Sequence, residues 1–383
     1  MRISSYEVLG KLPDVFMCDD GRRISDVSQW RRRRAEIVKT AVGLQFGSLI
    51  PDPEFLDVEC NTDPGKAILC CTVKTGTRER PVTMQITVMK PAGDGPFPIA
   101  VDGDLCFRYP YDPEFIHAFT DNGIALVLFN RTELAPDRES NYRSASQLCR
   151  TYPEGSFGAI AAWAWGYSRC VDAMLKLGIA DASSITFTGH SRGGKTAALA
   201  GALDERATIV NPNSTCAGAC GCYRIHMSAL KDDGREYRSE TLDDLMRNFG
   251  FWMGPDLEWF RTKESDLPFD FHYLKALVAP RTLYISEAEN DIWSNPVGSW
   301  QTTVAASEVY RFLGAPDNVY WSFRAGEHEH RVEDIRRLVS LILHKKDGSP
   351  LCGGFFSLPF EKKEPIFDWS APEAEKTKRT ENE

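Results

Sequence analysis

The chain has 383 residues, of which 42% are hydrophobic and 26% are charged, which is an ordinary balance for a soluble globular protein. Its net charge of −9 argues against a basic surface for nucleic acid. No apolar run approaches the roughly 18 residues that a membrane-spanning helix needs. We therefore expect a globular protein with neither a nucleic-acid nor a membrane partner.

The N-terminal residues show no apolar segment behind a basic start, so no secretory signal is visible and we expect a cytoplasmic protein. The eleven cysteines are scattered along the chain, which favours reduced thiols over a disulfide framework. Cys216, Cys220, Cys222 and His226 are residue types that bind zinc, but the usual C-x-x-C pairs are absent. We interpret them as packing residues and predict no metal site and no cofactor.

Taken in chain order, the sequence predicts a helical N-terminal extension over residues 1–50, followed by short apolar runs that alternate with helical ones. The predicted strands are 68–74, 81–90, 97–102, 123–130, 185–188, 207–210, 280–286 and 319–323, and the main predicted helices are 113–122, 158–177 and 196–202. Such alternation implies crossover connections and a mostly parallel sheet.

The order of these elements is that of an α/β-hydrolase, with an antiparallel hairpin first and eight strands flanked by helices. We expect this domain to occupy residues 51–360. Residues 225–266 combine tryptophans and phenylalanines with many charges and predict a cap inserted over the carboxyl edge of the sheet. Residues 361–383 are charged and contain proline, so we expect a disordered tail.

The most informative stretch is SSITFTGHSRGGKTAALAG, residues 183–201. A strand-like run leads into G-x-S-x-G at Gly189 to Gly193, and an Ala-rich helical run follows. This context is typical of a nucleophile elbow, in which a sharp turn between strand and helix presents the serine hydroxyl. Ser191 is therefore the predicted nucleophile.

A serine hydroxyl is a weak nucleophile that needs a histidine base, which is itself oriented by a carboxylate. The loop after the last strand offers His328, with His330 as the alternative base. The loop after the preceding strand offers Asp291, with Glu289 and Glu287 as alternative acids, and these follow the serine in the order that the fold requires.

Two cations follow the serine, and they indicate a polar or anionic substrate. The backbone N–H of Arg192 is a predicted oxyanion donor, and its side chain can add positive charge there. Lys195 lies one helical turn beyond Ser191 and is predicted to face the same way. A second oxyanion donor is expected among the backbone N–H groups of residues 103–105.

Several stretches together resemble the glucuronoyl esterases and their bacterial acetyl-xylan-esterase-like relatives. The similarity covers roughly residues 30–345 and rests on the stretches GHSRGGKTAALAGALDERATIV, WAWGYSRCVDAM, NPNSTCAG, LPFDFHYLKALVAPRTLYISEAENDIW and RAGEHEH. The family consists of α/β-hydrolases that use a serine, histidine and acid triad without a metal.

The resemblance implies that Ser191 is the nucleophile, that Arg192 stabilises the oxyanion and that Lys195 contacts sugar hydroxyls. It also implies His328 rather than His330 as the base. Some members take their acid from a Glu after the strand that follows the elbow helix, where this chain reads Asn211-Pro212-Asn213-Ser214. The resemblance then leaves Asp291 as the acid, and it places Trp293 near the sugar.

We therefore expect a serine carboxylic-ester hydrolase that acts through an acyl-enzyme on carbohydrate esters, either a glucuronoyl ester or an acetylated xylo-oligosaccharide. An intracellular enzyme of this kind would act on imported oligosaccharides. The alternatives are a broad-specificity acetyl esterase and a non-catalytic carbohydrate-binding protein on the same fold. The partner in each case is a small-molecule or oligosaccharide ester.

Overall fold

A computed structural model describes residues 2–61, 65–230, 234–362 and 364–373. The strands within these ranges are β1 (Arg2–Val8), β2 (Phe55–Cys60), β3 (Ile68–Gly76), β4 (Pro81–Met89), β5 (Phe97–Asp102), β6 (Ala125–Phe129), β7 (Ala180–His190), β8 (Ile209–Asn213), β9 (Ile225–Leu230), β10 (Glu236–Arg238), β11 (Thr282–Ala288) and β12 (Val319–Arg324). No helix in the described part of the chain is long and apolar enough to cross a membrane.

Nine of these strands form one sheet in the order β12-β11-β8-β7-β5-β6-β4-β3-β2. The six strands from β12 to β6 pair in parallel, whereas β4, β3 and β2 pair antiparallel. The predicted α/β-hydrolase fold is confirmed, and the eight predicted strands are the first eight in this order. The ninth, β2 at the sheet edge, was not predicted, because its partly buried residues alternate with acidic ones in a short run, FLDVEC.

Helices cover both faces of this sheet. The α-helices of the described residues are α1 (Trp30–Ile37), α2 (Gly43–Phe46), α3 (Pro113–Thr120), α4 (Tyr142–Ala145), α5 (Gln147–Thr151), α6 (Ala159–Lys176), α7 (Arg192–Leu203), α8 (Leu242–Phe249), α9 (Phe271–Ala276), α10 (Pro296–Phe312) and α11 (Val332–Asp347). Helices α3 and α11 bury apolar side chains in one cluster, and α6, α7, α9 and α10 contribute to the larger cluster. The central strands are therefore buried on both sides, which is why they are continuous apolar runs.

The predicted helical extension is wrong in its first part. Residues 2–8 form β1, which pairs antiparallel with β9, and β10 completes a small three-stranded sheet. Strand β9 lies in the predicted cap, where no strand was expected. Its buried residues Ile225, Met227 and Ala229 alternate with more exposed ones, a pattern that the surrounding charges and aromatic residues obscured.

The prediction of a disordered tail over residues 361–383 is also wrong for residues 364–373, which contact the core. The Trp369 indole N–H donates to the Leu12 carbonyl at 2.9 Å, and its ring packs against Phe16 and His272. The Ile366 N–H donates to the Gln301 side chain. Apolar residues within the charged run therefore attach the tail to the core, and residues 374–383 of the predicted tail lie outside the described residues.

A buried histidine that packs against this tail makes stability depend on pH. His272 is fully buried, its Nε2–H donates to the Pro13 carbonyl at 2.8 Å, and burial lowers its pKa to about 3. Between pH 7 and 5 the unfolded chain binds a proton at this imidazole and the folded chain does not. Folding stability therefore falls as pH falls, by about 2 kcal/mol for this group.

We expect His272→Gln, which keeps a donor for Pro13, to lose about 2 kcal/mol less stability than the wild type between pH 7 and 5. The measurement is urea unfolding at both pH values, with His117→Gln as the control because His117 is exposed. Equal pH dependence in the wild type and His272→Gln would contradict the account.

Candidate active site

Ser191 lies at a sharp turn between the end of β7 and the first residue of α7. Its backbone has φ 57° and ψ −119°, a strained conformation for a residue with a side chain. Its N–H donates to the Asn213 carbonyl at 2.9 Å, which fixes the turn against β8. A Cβ atom at Gly189 would lie 2.6 Å from the Gly193 carbonyl oxygen, so the turn requires glycine there. This is the geometry of a nucleophile elbow.

Three predicted residues form one hydrogen-bonded chain. The Ser191 Oγ lies 3.0 Å from His328 Nε2, and His328 Nδ1 lies 2.6 Å from Asp291 Oδ2. A histidine that donates from Nδ1 to a carboxylate presents an unprotonated Nε2 to the serine hydroxyl. The arrangement can therefore deprotonate the serine during nucleophilic attack.

Asp291 is the carboxylate that the structure places beside the imidazole. It is 3% exposed, and it also accepts hydrogen bonds from the Ser294 backbone N–H and hydroxyl. Glu287 lies within β11, where burial raises its pKa to about 8, and no hydrogen bond joins it to His328. Glu289 accepts from the Asn290 side chain instead. Neither alternative acid is in the hydrogen-bonded chain.

His330 is held away from Ser191. Its ring stacks on His190, with 5.1 Å between the ring centroids, and packs edge-on against Tyr109. Neither ring nitrogen has a hydrogen-bond partner among the described residues, and burial lowers the pKa of His330 well below its usual value. This histidine is an uncharged packing group.

The two histidines can be distinguished by substitution. We expect His328→Gln to lower kcat/KM for an activated acetyl ester by about 10⁴-fold, because His328 Nε2 is the basic atom that lies within hydrogen-bonding distance of the serine hydroxyl among the described residues. His330→Phe, which keeps an aromatic ring in the stack, is the matched control, with an expected loss below about 10-fold. A larger loss in His330→Phe than in His328→Gln would contradict the assignment of the base.

The predicted second oxyanion donor among residues 103–105 is not available. The Gly103 N–H donates to the Tyr167 hydroxyl, the Asp104 N–H to Asp102, and the Leu105 N–H to the Phe129 carbonyl. These bonds hold the loop after β5 in a closed turn, so the prediction that one of these groups faces the substrate was wrong.

Arg192 directly follows the serine and offers both a backbone N–H and a guanidinium. Its N–H belongs to the first turn of α7, where a helix has no internal acceptor. Its guanidinium donates to Asp137 at 2.7 Å and lies 4.8 Å from the centroid of the Trp252 ring, and the Trp252 indole N–H also donates to Asp137. Asp137 and Trp252 thus hold this cation, a role that nothing in their local sequence indicates.

Lys195 is oriented differently from the prediction. It is 2% exposed, and its ammonium donates to the carbonyls of Thr215 and Ala217 and to Glu240. All three ammonium protons are therefore directed into the protein, because Lys195 lies on the face of α7 that packs against this buried turn. Glu240, which the sequence analysis missed, is buried beside Lys195, and burial raises its pKa.

Trp293 lies at the rim of the same region. It is 39% exposed, and its carbonyl accepts from the Glu240 N–H at 3.1 Å. Its ring is therefore available to a ligand, while its backbone connects the loop that carries Asp291 to the buried Lys195–Glu240 pair.

The cysteines and the histidine that were considered as zinc ligands bond to other side chains. Cys216 bonds to the Ser294 hydroxyl, Cys222 to Asp270, and His226 to Glu264. No group of three or more histidine, cysteine or acidic side chains in the described residues is arranged to hold a metal ion.

Comparison with known proteins identifies the family of the chain. The family described as "Glucuronyl esterase, fungi" matches residues 72–314. The 4-O-methyl-glucuronoyl methylesterase 1 of Wolfiporia cocos is 28% identical over 324 residues, which cover 84% of this chain and 76% of that protein. The corresponding Podospora anserina enzyme is 29% identical and is matched over 84% of this chain and 64% of its own length.

Solved structures show the same relationship. A carbohydrate esterase family 15 glucuronoyl esterase from Caldicellulosiruptor kristjansonii superposes with a TM-score of 0.82 at 28% identity, covering 97% of this chain and 98% of that one. A Ser-to-Ala mutant of the Sporotrichum thermophile glucuronoyl esterase, in complex with methyl 4-O-methyl-β-D-glucopyranuronate, has a TM-score of 0.73 at 26% identity, with 89% of each chain covered. On the family match and these similarities, the chain belongs to the glucuronyl esterase family.

Proposed function

We propose that the protein hydrolyses esters of a glucuronic acid carboxyl group on carbohydrate, with Ser191 as the nucleophile, His328 as the base and Asp291 as the acid that orients it. The observation that carries the proposal is the hydrogen-bonded chain from the Ser191 hydroxyl through His328 to Asp291, at an elbow whose backbone strain exposes the serine. Family membership supports the class of substrate.

In the first half of the reaction, the Ser191 Oγ attacks the ester carbonyl carbon while its proton moves to His328 Nε2. The negative Asp291 stabilises the imidazolium that forms, and it is already desolvated and held by Ser294. The carbonyl oxygen becomes an oxyanion next to the Arg192 N–H and guanidinium.

The tetrahedral intermediate then collapses. His328 gives its proton to the leaving alcohol, and the uronoyl group remains as an ester on Ser191. Water enters and attacks the acyl carbon while His328 takes one of its protons. The second tetrahedral intermediate then collapses, His328 returns the proton to the Ser191 Oγ as this oxygen leaves, and the uronic acid is released. Every proton in this cycle passes between Ser191, the substrate, water and His328, so the proposal involves no cofactor.

The polar character of the site favours a sugar acyl group over a lipid chain. Arg192 offers a guanidinium that Asp137 and Trp252 hold in place, and Trp293 offers a partly exposed ring of the kind that stacks on sugars. The similar Sporotrichum protein is described as binding a methyl glucuronate. Acetylated xylo-oligosaccharide is the second candidate substrate, because an acetyl ester would develop its oxyanion at the same donors.

The experiment compares kcat/KM on benzyl glucuronate with kcat/KM on acetylated xylo-oligosaccharide. We expect the uronate ester to be preferred by at least about 10-fold, since Arg192 and Trp293 then contact the acyl sugar as well as the reacting carbonyl. A ratio near one would instead support a broad-specificity acetyl esterase. Activity on neither ester would support the non-catalytic alternative.

A further inference from the structure

Two cysteines lie directly opposite each other at one edge of the large sheet. Cys60 ends β2, Cys71 lies in β3, and the two are register partners in the antiparallel ladder. The Asn61 N–H donates to the Cys70 carbonyl at 2.7 Å, so Asn61 and Cys70 form a hydrogen-bonded pair. Hydrogen-bonded and non-hydrogen-bonded residue pairs alternate along an antiparallel ladder. Cys60 and Cys71 therefore occupy a non-hydrogen-bonded position, where opposite side chains approach most closely.

The two sulfur atoms are in contact, with 2.6 Å between Sγ atoms. Antiparallel neighbours at such positions lie within the Cα separation of about 4.4–6.8 Å that a disulfide spans. Both thiols are free in this structure. Bond formation therefore needs no rearrangement of the two strands.

The surroundings of the two thiols differ. Cys71 is fully buried, and burial together with the Cys60 thiol raises its pKa to about 12. Cys60 is only partly buried. The exposed Cys70 lies next in the chain but faces the opposite side of the sheet, where its register partners are Asn61 and Thr87. A reagent in solution therefore reaches Cys60 first, and Cys71 is the thiol within bonding distance of it.

We propose that Cys60 and Cys71 are a thiol pair that closes into a cross-strand disulfide by exchange with a low-molecular-weight disulfide such as oxidised glutathione. The Cys60 thiolate attacks one sulfur of the reagent, whose other half leaves as a thiolate and takes up a proton. Cys71 then gives up its proton and attacks the Cys60 sulfur, and the second half of the reagent leaves as a thiol. Two protein thiols are oxidised and one reagent disulfide is reduced.

The position of the pair predicts what the bond does. Strand β2 is the edge strand, and β3, β4, β6 and β5 separate it from β7, which carries the elbow. A covalent link between β2 and β3 restrains the unfolded chain and the edge of the sheet without moving Ser191. We expect a higher melting temperature for the oxidised protein and an unchanged kcat/KM.

The experiment treats the folded, reduced full-length protein with oxidised glutathione and then counts thiols and maps disulfides by mass spectrometry without reduction. The exposed Cys70, Cys106 and Cys352 can also take up glutathione, so the linked peptide is the decisive readout. We expect a peptide linked through Cys60 and Cys71, at least two thiols fewer than the eleven in the chain, and a melting temperature raised by several degrees. Cys70→Ser should behave as the wild type does. In Cys71→Ser, one glutathione should remain attached to Cys60, since no thiol is present to displace it.

Three results would overturn the proposal: eleven titratable thiols after treatment, a disulfide that uses Cys70, or a glutathione that persists on Cys60 while Cys71 is present. The cytoplasmic localisation stays a prediction, and mapping the disulfides of protein isolated from cells without reduction bears on it. The pair stays reduced in a reducing compartment and closes in an oxidising one.

Discussion

Replacing Ser191 by alanine is expected to lower kcat for a glucuronoyl ester by about 10⁴-fold or more, because the covalent pathway needs the oxygen that forms the acyl-enzyme. The remaining groups still bind the sugar and the carbonyl, so the dissociation constant for substrate should change little. Steady-state kinetics on benzyl glucuronate, together with calorimetric binding to the inactive variant, measure both quantities.

Ser183→Ala is the matched control for this substitution. Ser183 lies near the opposite end of the same strand, is exposed, and bonds only locally to Asp181. It should retain wild-type kinetics, which separates loss of the nucleophile from disturbance of β7. Full activity in Ser191→Ala would show that the elbow serine is not the nucleophile.

Asp291→Asn is expected to lower kcat by about 10⁴-fold, the size of effect known for the same change in a serine protease triad. The amide has nearly the shape of the carboxylate, but its NH₂ can donate to His328 Nδ1 and so favour the tautomer with the proton on Nε2. That tautomer cannot accept the serine proton. The amide also removes the charge that stabilises the imidazolium.

The matched controls for this prediction are Glu287→Gln and Glu289→Gln, which remove the alternative acids from the same strand and loop. We expect both to keep kcat within about 10-fold of the wild type, since neither carboxylate bonds to His328. A loss of kcat in Glu289→Gln equal to that in Asp291→Asn would mean that Glu289 replaces Asp291 as the carboxylate partner of His328 during the reaction.

The elbow and the central strands could be predicted from the sequence because their signals are local. A strand run, G-x-S-x-G and an Ala-rich run are contiguous in residues 183–201, and the structure places a strand, a strained turn and a helix there. His328 and Asp291 follow later strands, and parallel strands bring their carboxyl ends to one edge of the sheet. Chain order was therefore sufficient to bring Ser191, His328 and Asp291 together.

The features that the sequence analysis missed depend on contacts between distant parts of the chain. Strand β1 pairs with β9 more than two hundred residues away, and Trp369 bonds to Leu12 near the opposite terminus. In neither contact does the local sequence of one segment indicate the segment with which it pairs. The ends of the chain were consequently assigned from composition, which favoured a helix and a disordered tail.

Side-chain direction was equally hard to predict. Helical spacing placed Lys195 on the same side as Ser191, but the ammonium turns toward the carbonyls of Thr215 and Ala217 because they offer buried acceptors. The N–H groups of residues 103–105 were likewise taken up by Tyr167, Asp102 and Phe129. Spacing indicates a face of an element, whereas the available acceptors decide where a polar group finally points.

Labelling with a fluorophosphonate tests the central proposal most directly, because this reagent reacts with a serine only when a neighbouring base activates it. We predict one label per chain on Ser191, located by peptide mass spectrometry, with activity on benzyl glucuronate lost in proportion to labelling. Methyl glucuronate should slow the reaction, and His328→Gln should abolish it. Unlabelled Ser191 in a protein that still hydrolyses the uronate ester, or full labelling with undiminished activity, would contradict the assignment of this site.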